Sequence, residues 1–497
     1  MNPLYFLVGF GCYLLLMIGL SFWVSRGQRN QDDFLLAGRK VSGGLTFGTT
    51  IATMIGTGTS MGAVGYAYGH GWTGMMYGVG GAVGILLLAS CFASVRELKF
   101  STMSEELSYY TGANRWVKQG SALLIFLASL GWLGAHIIGG ALYLSWMTGL
   151  DMLSAKLLIT LAFTIYVAIG GYKAVVWTDS LMAIILFSGF LLMGFSAVQA
   201  VGGWQPLTQF WQQASAQQLF HPLNTLPAIS LAVAVAVGVL ATPSFRQRIY
   251  SGRSVSSVRR SFLFAGGLYL CFAFIPALIG VSARFLLPEL ANPQFAFTSL
   301  AVLVLPTLAA MLVLLAGLSA TLSSASSDSI AAVTVVMHDL QQGLGRPPLT
   351  GRRAVWASRL AVLLVSLSAF TLSLLSNNLV GYITSMIATL MSGLCVVGLL
   401  GRFWLRLTWQ GGVAALVVAV SSSLSILSHA DWLAFWGNPV LPALALASTA
   451  SVLVSLWTKP GLNRQQALLK LHQQSPVCSN HTNSDDVLPG SSDPKLS

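Results

Sequence analysis

The chain has 497 residues, of which 55% are hydrophobic and only 8% charged. A soluble domain carries roughly a quarter charged residues, so this composition excludes a protein whose whole surface meets water and points to the bilayer. A net charge of +12 would suggest a nucleic-acid partner in a soluble chain; in a membrane protein it is expected in the cytoplasmic loops.

Apolar runs long enough to cross a hydrocarbon core of about 30 Å as helices recur along the sequence. Alternating segments of roughly ten residues, the mark of a transmembrane barrel, are not seen. The expected fold is therefore all-α integral membrane, with about thirteen spans centred near residues 14, 57, 83, 132, 163, 186, 235, 273, 322, 366, 393, 419 and 448. The first run, Leu4 to Val24, lacks a basic leader and a small-residue cleavage site, and reads as a retained helix. With the N-terminus outside and the C-terminus cytoplasmic, 24 of the 26 Lys/Arg fall in cytoplasmic segments, leaving Lys156 and Arg284 outside. Residues 473–497 are rich in Ser, Asn, Asp, Pro and Gly and read as a disordered cytoplasmic tail. The external loops at about 200–225 and 286–300 read as interfacial segments or short caps. Cys12, Cys91, Cys271, Cys395 and Cys478 are scattered without metal or disulfide spacing and read as packing residues. A GxxxxGK[ST] phosphate loop is absent from the sequence, so uphill transport would draw on an ion gradient.

Charge inside the membrane is costly, about 2.5–3.5 kcal/mol on insertion scales, so acids within spans are functional candidates. Two qualify, Asp179 and Asp328, with a helix-end cap as the plainer reading of Asp179. The ninth span adds Ser319, Ser323, Ser324, Ser326, Ser327 and Ser329, placing Ala320, Ser323, Ser324 and Ser327 on one helical stripe. Serines also allow close helix packing, but adjoining hydroxyl stripes next to an acid suit a small hard cation. The second span is Gly- and Thr-rich from Thr49 to Ser60, which weakens a continuous helix. Backbone groups freed at that depth persist only where they line a cavity or bind something. The seventh span has Gly238 and Ala241-Thr242-Pro243 at the corresponding place, readable as a kink or as a second break. Interrupted spans in two five-helix halves, spans 2–6 and 7–11, point to an inverted repeat with a midplane site.

At these residues the sequence resembles the sodium/solute symporter family, which includes proline, pantothenate, sialic acid and sugar symporters. The resemblance is carried by Asp33-Phe34-Leu35-Leu36-Ala37-Gly38-Arg39, by Gly170-Gly171 with Trp177-Thr178-Asp179, and by Ala320-Thr321-Leu322-Ser323-Ser324 followed by Asp339-Leu340. It implies a leucine-transporter-type 5+5 inverted-repeat core over 41–407. A first helix and loop over 1–40 precede the core, and two further helices over 408–472 follow it. It implies a principal sodium site of the Ala52, Ile55 and Ala320 carbonyls with the Ser323 and Ser324 hydroxyls. A second site would use Asp179, Ser326 and Ser327 beside Ser323, so the expected cofactor is one or two sodium ions. Departures bear on the solute. Met54 and Gly56 stand where proline symporters have an acid and a serine, Val235 and Val239 where they have aromatics, and no arginine lies near Trp132 as in sialic-acid symporters. A proline or sialic-acid pocket is therefore not expected.

Thr57, Thr59, Trp132, His136 and Thr242 are the candidates for binding solute, although Trp132 and His136 read equally well as packing residues. The expected function is secondary active uptake of a small polar organic solute with inward sodium flow in a cell membrane, a monomer serving as the functional unit. A transport-deficient sensor of the same fold is the alternative. No nucleophile–base pair or metal-ligand cluster suggests an enzyme, and no nucleic-acid partner is expected.

Overall fold

A computed structural model describes residues 3–216, 225–345, 349–375 and 379–474. Of the expected tail at 473–497, residues 475–497 lie outside the described residues, as does part of the external loop at 200–225. The described chain is helical, apart from a single bridge between Val41 and Gly252. Nine described helices are long and apolar enough to cross a membrane, ten when the bent pair Leu226–Ala241 and Pro243–Ser251 is taken as one.

The lower number than thirteen reflects both where the chain interrupts its helices and where neighbouring spans run together. The first helix, α1 (Pro3–Val24), is continuous. The second span divides into α2 (Gly43–Met54), a wide turn over Gly58–Ala63, and α3 (Val64–His70). Next come α4 (Met75–Leu87) and the long α5 (Arg115–Thr148), capped by the Asn114 side chain and stopped by Gly149 in the left-handed region. The spans expected near 163 and 186 run together as α6 (Met152–Val201), with Gly171 at φ 56°, ψ −158° inside it. Only glycine adopts that conformation without strain. A Cβ there would lie 2.6 Å from the Phe34 carbonyl, so the glycine also makes room for the preceding loop. That loop is held by Gln28, whose amide donates to the Gly170 carbonyl at 2.6 Å.

The seventh span is α7 (Thr225–Ala241) followed by α8 (Pro243–Ser251), bent by 43° at Thr242. Pro243 occupies the first turn of α8, where its missing N–H costs nothing. Then follow α9 (Val255–Phe272), α10 (Phe274–Leu286) and α11 (Thr307–Val335). After α12 (Gly351–Ser373), α13 (Leu379–Met386) and α14 (Ser392–Phe403) flank a wide turn at Ile387–Met391. The last apolar helices are α15 (Trp409–Leu427) and α16 (Val440–Trp457).

Helix α11 is the axis of the molecule. It packs against α2, α5, α6 and α12, and every residue from Val313 to Val335 is buried. Because this stretch is enclosed on all sides, its hydroxyls and its one carboxylate are shut off from lipid and bulk water. The segment after α6 forms a short helix, Trp204–Ala216, whose Trp204 and Trp211 rings pack on Phe274 and Trp72.

Candidate functional site

The break in the second span creates the site. The α2 ladder ends with the Ile55 amide on the Ile51 carbonyl, and resumes with the Thr59 and Ser60 amides on the Gly56 carbonyl. Serines of α11 meet the carbonyls between. Ser323 donates to Ala52 O at 3.1 Å and to Ala320 O at 3.1 Å. Ser324 donates to Thr53 O and Ala320 O, each at 3.2 Å. The structure thus brings together Ala52, Ala320, Ser323 and Ser324, four of the five residues expected at the principal ion site. Ile55, the fifth, is the residue that ends α2, with φ −87° and ψ 55°. A Cβ on Gly56 would stand 2.6 Å from Ser324 Oγ, so glycine here permits the close approach.

Asp179 is not a helix-end cap, because it is wholly buried. Its carboxylate accepts from Thr49 at 2.6 Å, Ser327 at 2.9 Å and Ser326 at 3.3 Å. The predicted group of Asp179, Ser326 and Ser327 is therefore a real cluster. Sequence reasoning missed its other member, Arg248 on α8. The guanidinium lies 3.7 Å from Asp179 and donates to Ser327 at 2.8 Å and Thr49 Oγ1 at 3.0 Å, with Thr53 Oγ1 as a further acceptor. The loop-charge pattern places Arg248 in a cytoplasmic segment and says nothing of its burial, yet only 1% of it is exposed. The signal that could have revealed it is that Arg248 follows Pro243 by only five positions, too short a distance for α8 to leave the core.

Beside these serines lies a cavity of about 60 Å³. Thr59, Trp132, His136 and Thr242 line it as expected, while Thr57 does not. Thr57 sits behind the wall, its hydroxyl 3.1 Å from His136 Nδ1 and donating to Thr321 at 3.1 Å. The apolar wall includes Met54, Val235, Val239 and Ile387, and Gly56 also lines the cavity, so all four residues that depart from the proline-symporter pattern face it. Trp132 and His136 stack with ring centroids 6.0 Å apart. Asp328 also reaches this cavity, its Oδ2 lying 3.2 Å from His136 Nε2.

A broken helix whose freed carbonyls meet serine hydroxyls beside a small cavity suits an ion-linked carrier. The model of the sodium:solute symporter family matches residues 34–419. The chain belongs to the sodium:solute symporter family. Members of this family are sodium-coupled transporters, not enzymes. Among its relatives, the sodium/pantothenate symporter of Escherichia coli (strain K12) is 26% identical, over 88% of this chain and 93% of that protein. The sodium/proline symporter of Salmonella typhimurium (strain LT2) is 25% identical, over 91% of this chain and 93% of its own length. A substrate-bound, outward-open Na+-coupled sialic acid symporter aligns with a TM-score of 0.77 and 19% identity, covering 93% of this chain and 99% of that one. The closed nucleobase-cation-symport-1 transporter Mhp1 aligns at 0.60 with 14% identity, covering 88% and 98%. These are leucine-transporter-fold proteins, and at such identities the likeness concerns the fold.

Proposed function

We propose that this symporter couples inward sodium flow to uptake of a small polar organic solute by alternating access. The observation that carries the reading is the contact of Ser323 and Ser324 with the carbonyls freed by the break in the second span. A sodium ion there would replace these serine-to-carbonyl hydrogen bonds with five oxygen ligands, from Ala52, Ile55, Ala320, Ser323 and Ser324. It would thereby hold α2 against α11 and order the adjoining cavity. The Asp179, Ser326 and Ser327 oxygens already meet a fixed cation, Arg248, so in this arrangement one sodium ion is favoured. A second ion requires Arg248 to withdraw.

The thirteen-span reading supplies the architecture. The interrupted spans at α2–α3 and α7–α8 take equivalent places in two five-helix halves, and Gly171 divides α6 into two spans. Residues 41–407 are then the transporting core, and the chain lies in a bacterial plasma membrane with its N-terminus outside. Thr59, Trp132, His136 and Thr242 contact the solute directly, and Thr57 acts through His136.

Purified protein in vesicles with an imposed inward sodium gradient, screened against labelled amino acids, carboxylates, sugars and vitamins, tests this reading. Uptake of at least one solute should require external sodium and collapse with the gradient. Uptake indifferent to sodium would sink the proposal.

A further inference from the structure

The cavity wall carries two polar atoms without partners among the described residues, Asp328 Oδ1 and Trp132 Nε1. Asp328 is 98% buried, with 2% of its surface exposed. Its other oxygen is held by His136, which Thr57 in turn orients. The carboxylate is thus fixed beside the cavity with one oxygen engaged and one without a partner. A buried acceptor left unsatisfied is costly, and more so when it is charged. Among the described residues no other acid and no Lys or Arg lines the cavity, His136 and Tyr77 being the only further ionisable side chains. Nothing on this wall would therefore bind a bare carboxylate as a lysine or arginine does. The volume of about 60 Å³ leaves room for a handful of waters, at roughly 10–15 Å³ each.

Resting on the reading of this cavity as the solute site, we infer that the transported solute is recognised at an ammonium-type N–H head group. Asp328 Oδ1 accepts from that group, and Trp132 Nε1 donates to an oxygen beside it. The short apolar remainder lies against Met54, Val235, Val239 and Ile387. Asp328 stands one helical turn from Ser324 on α11, so the head group and the sodium ion would be gripped by the same helix face. Solute and ion would then stabilise one arrangement of α11.

Three probes of similar size separate the chemistries: alaninamide (an ammonium beside a carbonyl), propionamide (neutral) and lactate (a carboxylate). Each is titrated against the full-length protein in lipid nanodiscs with sodium present, and thermal stabilisation is read. Alaninamide should stabilise at concentrations roughly tenfold or more below the other two. Asp328→Asn should weaken its effect by roughly 10–100-fold while stabilisation by sodium alone persists, which shows that the variant folds. Trp132→Phe should weaken it several-fold. The inference is overturned if lactate or propionamide matches alaninamide, or if Asp328→Asn responds to alaninamide as the wild type does. Absence of any sodium response in the wild type would instead overturn the transport reading beneath it.

Discussion

Ser324 and Arg248 show at the residue scale what a buried hydroxyl and a buried charge each contribute. Ser324 bridges Thr53 O and Ala320 O, and in the proposed bound state it supplies one of five sodium ligands. Ser324→Ala removes that ligand without altering the helix. It should raise the half-saturating sodium concentration by about tenfold, the equivalent of about 1.4 kcal/mol. Sodium-dependent uptake or thermal stabilisation measures this, and an unchanged sodium requirement would count against the site. Arg248 and Asp179 lie 3.7 Å apart and are almost wholly enclosed. Removing one partner of such a pair costs about 3–5 kcal/mol, because the other charge stays behind, whereas replacing both costs far less. Asp179→Asn and Arg248→Met should each lower the melting temperature clearly. The double variant should recover most of the loss, and additive losses would show that the two groups act independently.

Among the elements, the joint between the first loop and α6 explains why two separate motifs were legible in the sequence while their relation was not. Asp33 to Arg39 and Gly170-Gly171 are more than a hundred residues apart, yet Gln28 bonds to Gly170 O and Phe34 O presses on Gly171. At φ 56° and ψ −158°, Gly171→Ala adds both backbone strain and overlap. It should abolish stable expression, which size-exclusion profiles from membranes would reveal, and a normal profile would refute the argument. Helix existence, the loop-charge pattern, the serine stripe and the second-span break were readable because each is periodic or local. Arg248 and the Asp328–His136 contact were not, since pairing across 192 residues leaves no local pattern. A second joint ties the Met103–Tyr110 helix to α5 through Glu105 and Lys118, 3.7 Å apart. Burial pushes the Glu105 carboxyl up. Lys118, His338, the Ser101 amide and Arg39 outweigh that effect and hold it below its ordinary 4.5. With the folded value depressed, the stability it contributes is present above the unfolded value and is lost as pH falls through the folded one. Glu105→Gln should therefore flatten the acid side of a melting-temperature profile. An unchanged slope below about pH 4.5 would rule out this contribution.

For the whole molecule, alternating access needs one side of the cavity to be closed by contacts that can be exchanged. On the expected cytoplasmic side, α8 carries buried charge suited to this role. Arg246 donates to Glu106 at 3.0 Å and lies over the Phe92 ring, while Tyr110 and Tyr250 also donate to Glu106. Glu106→Gln leaves Arg246 buried opposite a neutral amide, which weakens the closed arrangement by up to about 3–5 kcal/mol. Inverting a 99:1 population takes about 5.5 kcal/mol, so the variant should expose the cavity to the cytoplasm for a much larger share of the time without becoming fully open. Sodium at the α2–α11 site should oppose the shift, because it binds the arrangement in which those helices touch. In a background without native cysteines, Thr242→Cys at the α7–α8 bend reports both effects. An impermeant thiol reagent supplied from the cytoplasmic face should label it at least about tenfold faster in Glu106→Gln, and sodium should slow that labelling. Equal rates with and without Glu106→Gln would mean that this cluster is not the gate, and labelling insensitive to sodium would separate the ion site from the closure of α8.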